Sequence, residues 1–272
     1  MSELSGRELA AAIRADVTAR AAVAHPRLAV VTATDDGGSA WYVRSIATAA
    51  AKVGIACDVV DLGAGASARD IAAALRGPAG DDAVHGVVLQ TPLPAGVALE
   101  DLTAEIPPHK DVDGANPLSL GRLAAGLPAF APATAEAVVT LLEHHDVALA
   151  GRHAVVVGRS TVVGKPALHL LLDRNATVTV AHSRTTDLAA VTRTADVLVA
   201  AVGRAGLITP EHVRPGAVVV DVGTNPTEDG GLAGDVAPEV ASVASGLTPV
   251  PGGVGPVTTA LLLRHTVEAA ER

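Results

Sequence analysis

Three segments in the first half of the chain carry side chains suited to binding a flat ligand that forms hydrogen bonds. Tyr42 lies beside Trp41 on a predicted helix, and the chain has one residue of each type. Gln90 ends a predicted strand in LQTPLP, and Asp113 belongs to KDVDG in a loop facing the same sheet edge. Ligands of parallel α/β sheets bind at that edge, so we predict a site for a planar heterocycle. The alternative is that Tyr42 is a core residue.

The segment AVVVGRSTVVGKP is typical of a dinucleotide site. Gly158 and Gly164 lie directly after a predicted strand and at the start of a predicted helix. Glycines there let the backbone approach a pyrophosphate, which the N–H groups of the helix N-terminus can bind. The pattern is not GxGxxG, and it is not a Walker A loop, because the glycines are one residue too far apart and Pro166 replaces Ser/Thr. A tight turn with no ligand is the alternative.

The next predicted strand, TVTVA, ends in His182, Ser183 and Arg184, with no Asp or Glu at its tip. NAD sites usually place a carboxylate there for the ribose hydroxyls, whereas hydroxyl and guanidinium groups suit the 2′-phosphate of NADP. Arg159 and Arg184 can supply positive charge, so we predict NADP. The alternative is that these are solvated loop residues. Further on, the proline- and glycine-rich TPVPGGVGPVTTA fixes a backbone shape that can pack flat against a ligand.

The elements that must position these residues alternate between strand and helix. Hydrophobic periodicity predicts β-α-β-α-β up to residue 90, and then short valine-rich strands at 154–157, 177–181, 197–202 and 217–222. This alternation favours parallel sheets with right-handed crossovers. Residues 92–117 are rich in proline, and the alternation of strands and helices resumes after them. We therefore predict two α/β domains that join near residue 130.

Composition excludes several classes of function. The formal net charge is -9 and no dense run of Lys or Arg occurs, so we predict no nucleic acid partner. The start lacks the basic-then-apolar order of a signal peptide, and no apolar stretch is long enough to span a bilayer. The single cysteine, Cys57, falls in a predicted buried strand and suits a reducing compartment. We therefore predict a soluble cytoplasmic protein with no membrane partner and no metal site.

Taken in order, these segments resemble the bifunctional methylenetetrahydrofolate dehydrogenase/methenyltetrahydrofolate cyclohydrolase family. The matching segments are YVxS, LQTPLP, KDVDGxxPxxxGRL, GRSTVVGKP, HSRT, ADVLVAAVG, GAVVVDVG and PVPGGVGPVT. The resemblance implies two α/β domains with a cleft between them, the second a Rossmann-type NADP-binding domain with a parallel sheet. It implies a folate-binding catalytic domain at 1–130 completed by a C-terminal helix at 257–272, an NADP domain at 131–256, and a homodimer.

Residue by residue, the resemblance implies that Tyr42, Gln90 and Asp113 bind and act on a tetrahydrofolate one-carbon derivative. The turn containing Pro249, Gly252 and Gly253 would cover the pterin. The implied NADP contacts are Gly158, Arg159, Ser160, Gly164, His182, Ser183, Arg184, Gly203 and Thr224.

One position of the catalytic set departs from the family pattern. Tyr-x-x-x-Lys reads here as Tyr42 followed by Ile46. The resemblance assigns that lysine to the hydrolytic step, and isoleucine has no proton to move. Lys52 would lie about 240° around the helix and about 9 Å along it, and Arg44 keeps its proton too firmly to shuttle it. Lys110 lies in the loop region near the site.

We therefore predict an enzyme, an NADP-dependent methylenetetrahydrofolate dehydrogenase whose cyclohydrolase activity is weak or absent. Hydride transfer depends on the cofactor and on orientation, and it does not strictly require a protein acid or base. Three alternatives stay open. The first is a full bifunctional enzyme that uses Lys110 or solvent in place of the missing lysine. The second is a catalytically silent folate- or nucleotide-binding paralogue, and the third is an NADP oxidoreductase that acts on another one-carbon carrier.

Overall fold

The computed structural model describes residues 1–227 and 230–272, which form two compact units. The three-stranded unit consists of Ala11–Ala133 and Thr259–Arg272, and the six-stranded unit of Met1–Ala10 and Thr134–Thr258. The sequence placed the first ten residues with the first domain, but the structure places them in the six-stranded unit. The reason is a short N-terminal strand that pairs with Gly246–Leu247.

The elements follow one another as the alternating pattern predicts. Up to residue 132 they are β1 (Ser2–Glu3), α1 (Arg7–Ala24), β2 (Arg27–Thr32), α2 (Gly37–Lys52), β3 (Ala56–Asp61), α3 (Ala68–Gly80), β4 (Gly86–Leu89), α4 (Leu99–Thr103) and α5 (Pro117–Ala124). The later elements are α6 (Ala133–His144), β5 (His153–Val157), α7 (Gly164–Asp173), β6 (Thr177–Ala181), α8 (Leu188–Thr192), β7 (Val197–Ala200), β8 (Val218–Asp221), β9 (Asn225–Pro226), β10 (Leu232–Ala233), β11 (Gly246–Leu247) and α9 (Val254–Ala270), with 3-10 turns at Pro210–His212 and Pro238–Ser242.

The sheet of the three-stranded unit is parallel, in the order β3-β2-β4. β2 and β4 are almost wholly buried, whereas most residues of β3 are exposed. The prediction of a buried strand around Cys57 was therefore wrong, because β3 lies at the sheet edge and pairs with one neighbour. Cys57 itself is half-buried, and burial together with the Asp58 carboxylate raises the pKa of its thiol to about 11.

The sheet of the six-stranded unit is also parallel, in the order β1-β11-β8-β7-β5-β6. Its core combines inward side chains of β5, β7 and β8, which explains why valine dominates these strands. The chain leaves β5 for β6 on one side and returns to β7 on the other. The carboxyl end of β5 is thus a topological switch point, where open α/β sheets bind ligands. Within the described ranges, no helix is long and apolar enough to cross a membrane.

Candidate active site

Helix α2 carries Tyr42 to the carboxyl edge of the three-stranded sheet. The helix begins at Gly37 because the Asp36 side chain accepts a hydrogen bond from the Ser39 backbone N–H at 2.7 Å. Ser39 Oγ also donates to the Thr91 carbonyl at 3.1 Å, which joins the start of α2 to the loop after β4. The sequence-predicted Gln90 lies between β4 and that loop, and its side-chain Nε2 donates to the same Thr91 carbonyl at 2.6 Å.

The Tyr42 ring is half-buried, and its hydroxyl is hydrogen-bonded to the side chain of Thr259 in α9. Burial, reinforced by the negative charge of Asp113, raises the pKa of Tyr42 to about 12. The structure therefore brings together Tyr42 and Asp113, two of the predicted substrate-binding residues. Tyr42 stays a neutral phenol at every pH that a folded protein meets in the cell.

The two aspartates of KDVDG have different environments. Asp111 is fully buried, and its carboxylate accepts hydrogen bonds from the backbone N–H groups of Ala115 and Asn116, both at 2.9 Å. Asp111 therefore shapes the turn. For Asp113, burial first and the nearby Asp111 carboxylate second raise the pKa to about 7, although His265 and the Ala133 N–H counteract part of this shift. Asp113 can thus exchange a proton near neutral pH.

Lys110 does not belong to this site. Its side chain is buried, and its Nζ donates to the Asp81 carbonyl at 2.7 Å, beyond the end of α3 and before the start of β4. That is the amino-terminal side of β4, whereas Gln90 follows its carboxyl end. The alternative in which Lys110 replaces the family lysine therefore loses its geometric basis.

His265 is a member of this group that sequence reasoning missed. It lies on α9, is almost fully buried, and its Nδ1 is 2.8 Å from the Val112 carbonyl between the two aspartates. Its ring centre is 5.0 Å from that of Phe130. The imidazole thus packs against the KDVDG turn and lowers the pKa of Asp113. A single histidine on an apolar helix gives no motif, so only the fold reveals this neighbour.

Ile46 lies one helical turn after Tyr42 and is completely buried. It belongs to the packed face of α2, together with Val43 and Ala50. Position 46, where the resemblance led us to expect a lysine, is therefore part of the hydrophobic core of this unit.

In the six-stranded unit, Gly158 and Gly164 form a cradle at the switch point. Gly158 has φ +130°, and a Cβ there would lie 2.2 Å from the Ala201 carbonyl oxygen. A Cβ on Gly164 would lie 2.2 Å from the Gly158 carbonyl oxygen. Both positions thus require glycine, because the loop folds closely against β7 and the start of α7. Ser160 lies in this loop and is exposed, and its Oγ accepts from the Val163 N–H at 3.2 Å.

Positively charged and hydroxyl side chains surround this cradle. Arg159 follows β5, while Ser183 and Arg184 follow the adjacent strand β6, and all three are exposed at the same sheet edge. His182 fixes the second turn, because its Nδ1 accepts from the Arg184 N–H at 3.1 Å and its own N–H donates to Thr185 Oγ at 2.8 Å. This donor set fits a phosphate group.

Two buried aspartates, also missed from the sequence, hold the loops that carry Gly203 and Thr224. Asp235 accepts hydrogen bonds from the backbone N–H groups of Val202, Gly203 and Arg204 and from Asn225 Nδ2, at distances of 2.6 to 3.0 Å. Asp221 accepts from the N–H groups of Gly223, Asp235 and Val236 at 2.9 to 3.0 Å. The exposed Gly203 and Thr224 are therefore positioned by a rigid polar network.

The predicted Pro249–Gly253 turn packs within its own unit. Gly252 and Gly253 are buried, and the Gly6 N–H donates to the Gly252 carbonyl at 2.9 Å. A Cβ on Gly6 would lie 2.1 Å from the Gly253 carbonyl oxygen. The turn is thus held by the N-terminal segment, and its contact with substrate stays a prediction.

Comparison with known sequences identifies the family. The sequence profile of the tetrahydrofolate dehydrogenase/cyclohydrolase catalytic domain matches residues 4–113. The profile of the NAD(P)-binding domain of the same family matches residues 132–272. The chain belongs to this family.

Known proteins of this family match this chain over nearly their whole length. Bifunctional protein FolD 1 of Saccharopolyspora erythraea is 66% identical over 275 residues, covering 99% of this chain and 94% of that protein. Bifunctional protein FolD of Nocardia farcinica is 64% identical and covers 99% of this chain and 97% of that protein. The predicted family membership is confirmed.

Solved structures of family members have the same fold. The FolD methylenetetrahydrofolate dehydrogenase/cyclohydrolase of Campylobacter jejuni superimposes with a TM-score of 0.94 at 38% identity, covering 100% of this chain and 99% of that one. The Trypanosoma brucei enzyme, crystallised with NADP and an inhibitor, gives a TM-score of 0.94 at 35% identity, with 100% and 98% covered. The predicted pair of α/β domains, with a parallel sheet and an NAD(P)-binding domain, is confirmed.

Proposed function

We propose that this chain is an NADP-dependent methylenetetrahydrofolate dehydrogenase. The observation that carries the proposal is the half-buried Asp113 carboxyl, which is close enough to Tyr42 to raise the pKa of the Tyr42 hydroxyl, in a chain of this family. A half-buried aromatic ring offers a flat apolar surface to a pterin, and a carboxylate accepts hydrogen bonds from ring N–H groups. Gln90 would supply a further amide at the same edge.

The cofactor proposal is supported by the cradle and its charges. Gly158, Ser160 and Gly164 let a pyrophosphate approach the start of α7, where N–H groups and the helix dipole favour an anion. Arg159, Ser183, Arg184 and His182 would bind the 2′-phosphate region, and Gly203 and Thr224 would line the cofactor further along the sheet edge. Bound NADP accepts the hydride, while the protein's own residues bind and orient the two reactants.

We further propose that the cyclohydrolase activity is weak or absent, because the hydrocarbon side chain of Ile46 cannot move a proton. A second candidate function, the full bifunctional enzyme, has two observations in its favour. Relatives that are 66% and 64% identical are named bifunctional. In addition, burial raises the pKa of Asp113 to about 7, so under this alternative Asp113 would be the group that carries the proton in place of a lysine.

A single assay separates the two candidates. Purified protein receives methylenetetrahydrofolate and NADP, and the formation of the methenyl product and its decay are followed separately. Formation without accelerated decay supports the dehydrogenase alone. Decay faster than in buffer supports the bifunctional enzyme, and Asp113→Asn then tests whether Asp113 moves the proton. Absence of formation would overturn the proposal.

Substitution at position 46 supplies the matched comparison. Ile46→Lys restores the family pattern and should accelerate decay of the methenyl product, whereas Ile46→Leu changes shape at constant polarity and should not. Because Ile46 is completely buried, both variants are compared by thermal melting first. Equal decay rates for the two folded variants would contradict the role assigned to this position.

The choice of NADP, the assembly and the location belong to the same proposal. Arg159→Ala combined with Arg184→Ala should reduce the preference for NADP over NAD, because both guanidinium groups lie at the edge where the 2′-phosphate would bind. We also propose a cytoplasmic homodimer. Light scattering coupled to size exclusion measures the mass directly, and a monomer of 27.0 kDa would refute the dimer.

A further inference from the structure

Helix α9 contacts both of the predicted substrate residues that lie together in the three-stranded unit. The side chain of Thr259 is hydrogen-bonded to the Tyr42 hydroxyl, and His265, six residues later, contacts the loop that carries Asp113. Six residues span about 9 Å along a helix and turn by about 240°, so the two contacts leave α9 at different heights and on different sides. One helix thus supports both the aromatic ring and the carboxyl that the proposed function assigns to the pterin.

The hydrogen bond of His265 can run in one direction only. Its Nδ1 lies 2.8 Å from the Val112 carbonyl oxygen, and a carbonyl oxygen only accepts, so Nδ1 carries a proton and donates. Val112 is completely buried and His265 is 3% exposed, so water does not easily replace this donor. The carbonyl belongs to the peptide bond that leads into Asp113. The imidazole therefore fixes the orientation of that peptide bond from outside the loop.

Packing holds the imidazole in this position. The centre of the His265 ring is 5.0 Å from that of Phe130, and the two planes are tilted by 33°. The guanidinium carbon of Arg272 lies 4.3 Å from the centre of the Phe130 ring, within the range of a cation–π interaction. A side chain that orients another group must itself be held in one rotamer, and these contacts meet that requirement.

We propose that His265 is a positioning residue for the reaction, because its hydrogen bond to the Val112 carbonyl sets the direction in which the Asp113 carboxyl meets the pterin. This role rests on the proposed function, which places the pterin at Asp113 and Tyr42. A group that binds a reactant has to be held within about 0.5 Å of its productive position. Loss of the donor would leave a buried carbonyl unpaired and allow the peptide bond before Asp113 to turn.

Two substitutions separate the hydrogen bond from the ring. His265→Asn keeps an N–H donor at the place of Nδ1 and loses the ring, whereas His265→Phe keeps a ring against Phe130 and loses the donor. KM for methylenetetrahydrofolate is measured at about pH 9, well above the Asp113 pKa of about 7, so that the carboxyl is ionised. His265→Asn should keep the wild-type KM, and His265→Phe should raise it about three- to tenfold, the effect of one hydrogen bond. Equal KM values for the two variants, or a larger increase for His265→Asn, would overturn the proposal.

The pH profile supplies a readout that loss of packing alone would not change. The titratable groups that act on Asp113 are Asp111, which raises its pKa, and His265, which lowers it, while Tyr42 stays protonated beside it. His265→Asn removes the opposing imidazole, so the pKa of Asp113 should rise and the acid limb of kcat/KM should move to higher pH. The control Val267→Ala removes buried volume from α9 and keeps the imidazole, so its limb should stay in place. An unmoved limb in His265→Asn, or an equal movement in the control, would overturn the proposal.

Carbon-13 labelling of the aspartate carboxyls tests the same contact without catalysis. The Asp113 signal is assigned by its loss in Asp113→Asn, and its titration midpoint should be higher in His265→Asn than in the wild type. A protein without activity in which this midpoint moves would sustain the contact and refute the proposed function. An active protein in which the midpoint does not move would refute the role of His265 and leave the proposed function intact.

Discussion

Asp235 connects the loops after β7 and β8 in the six-stranded unit, and asparagine at this position would break part of that connection. One carboxylate oxygen, Oδ2, accepts from the N–H groups of Val202 and Gly203 at 2.6 and 3.0 Å. The other, Oδ1, accepts from the Arg204 N–H and Asn225 Nδ2 at 2.8 and 2.9 Å. Asparagine keeps one oxygen and replaces the other with an NH₂ group, which cannot accept.

The magnitude follows from this geometry. Whichever way the asparagine amide turns, two donors that were paired lose their acceptor, and the new NH₂ group points at them. The residue is fully buried, so water cannot easily replace the missing oxygen. An unsatisfied buried donor costs about 1–3 kcal/mol, so two should lower the free energy of unfolding by about 2–6 kcal/mol. The Gly203 loop should also move, which weakens NADP binding under the proposed function.

Urea denaturation measures the free energy of unfolding of Asp235→Asn, and calorimetric titration measures NADP affinity. The control is Asp173→Asn, because this carboxylate is exposed on α7 and its replacement removes the same charge. The control should stay within about 0.5 kcal/mol of the wild type, as is usual for surface substitutions. If Asp235→Asn also stayed within that range and bound NADP normally, the network would not hold the loops as argued.

Three further outcomes follow from the same contacts. Gly164→Ala places a methyl group 2.2 Å from the Gly158 carbonyl oxygen and should lower the unfolding free energy by about 1–3 kcal/mol in melting experiments, whereas Gly77→Ala, with open space in α3, should not. Asp113→Asn removes a carboxyl whose pKa is raised from 3.8 to about 7, so the wild type loses stability from this group as pH rises across that interval. The stability of the variant relative to wild type should therefore grow between pH 3.8 and about 7 and level off above pH 7. Denaturation at a series of pH values measures this difference, and a difference that does not change with pH would contradict the argument. Tyr42→Phe should raise KM roughly two- to tenfold, the effect of one hydrogen bond. It should leave the pH profile of kcat unchanged, because the phenol has a pKa of about 12 and stays protonated; a lost alkaline limb would contradict this.

The sequence predicted the regular elements well where a strand is buried on both faces and therefore consists of an apolar run. The valine-rich run predicted at 154–157 lies within the buried strand His153–Val157, and the predicted strand at 86–90 differs from Gly86–Leu89 by one residue. An unbroken apolar run indicates a strand covered on both faces. Cys57 shows where this inference fails, because β3 has similar residue types but lies at the edge, and strand order is not written in local periodicity.

The candidate site divides in the same way. Gly158 and Gly164 could be found from the sequence because close backbone approach admits only glycine, which leaves a local pattern. His265 could not be found, since its contact with Val112 joins residues 153 positions apart. The buried aspartates at 221 and 235 leave an equally weak signal, because a carboxylate that accepts backbone N–H groups needs no characteristic neighbour in sequence.

The two candidate functions differ in what they require of Asp113, and the proposed role of position 46 bears on that difference. An ammonium group near the Tyr42 turn would stabilise the ionised form of a neighbouring carboxyl, and so lower its pKa. Isoleucine supplies no charge, and Asp113 is left with a pKa that burial raises to about 7, opposed by His265 on α9. Under the proposed function, the absence of an ammonium group at position 46 would therefore leave Asp113 as a carboxyl that exchanges protons near neutral pH. If hydrolysis proceeds without a lysine, Asp113 must gain and lose a proton during the reaction. Hydride transfer requires Asp113 only to accept a hydrogen bond. The decay rate of the methenyl product in Asp113→Asn separates the two cases. A rate that falls to that of buffer shows that Asp113 carries the proton, and an unchanged rate shows that it does not.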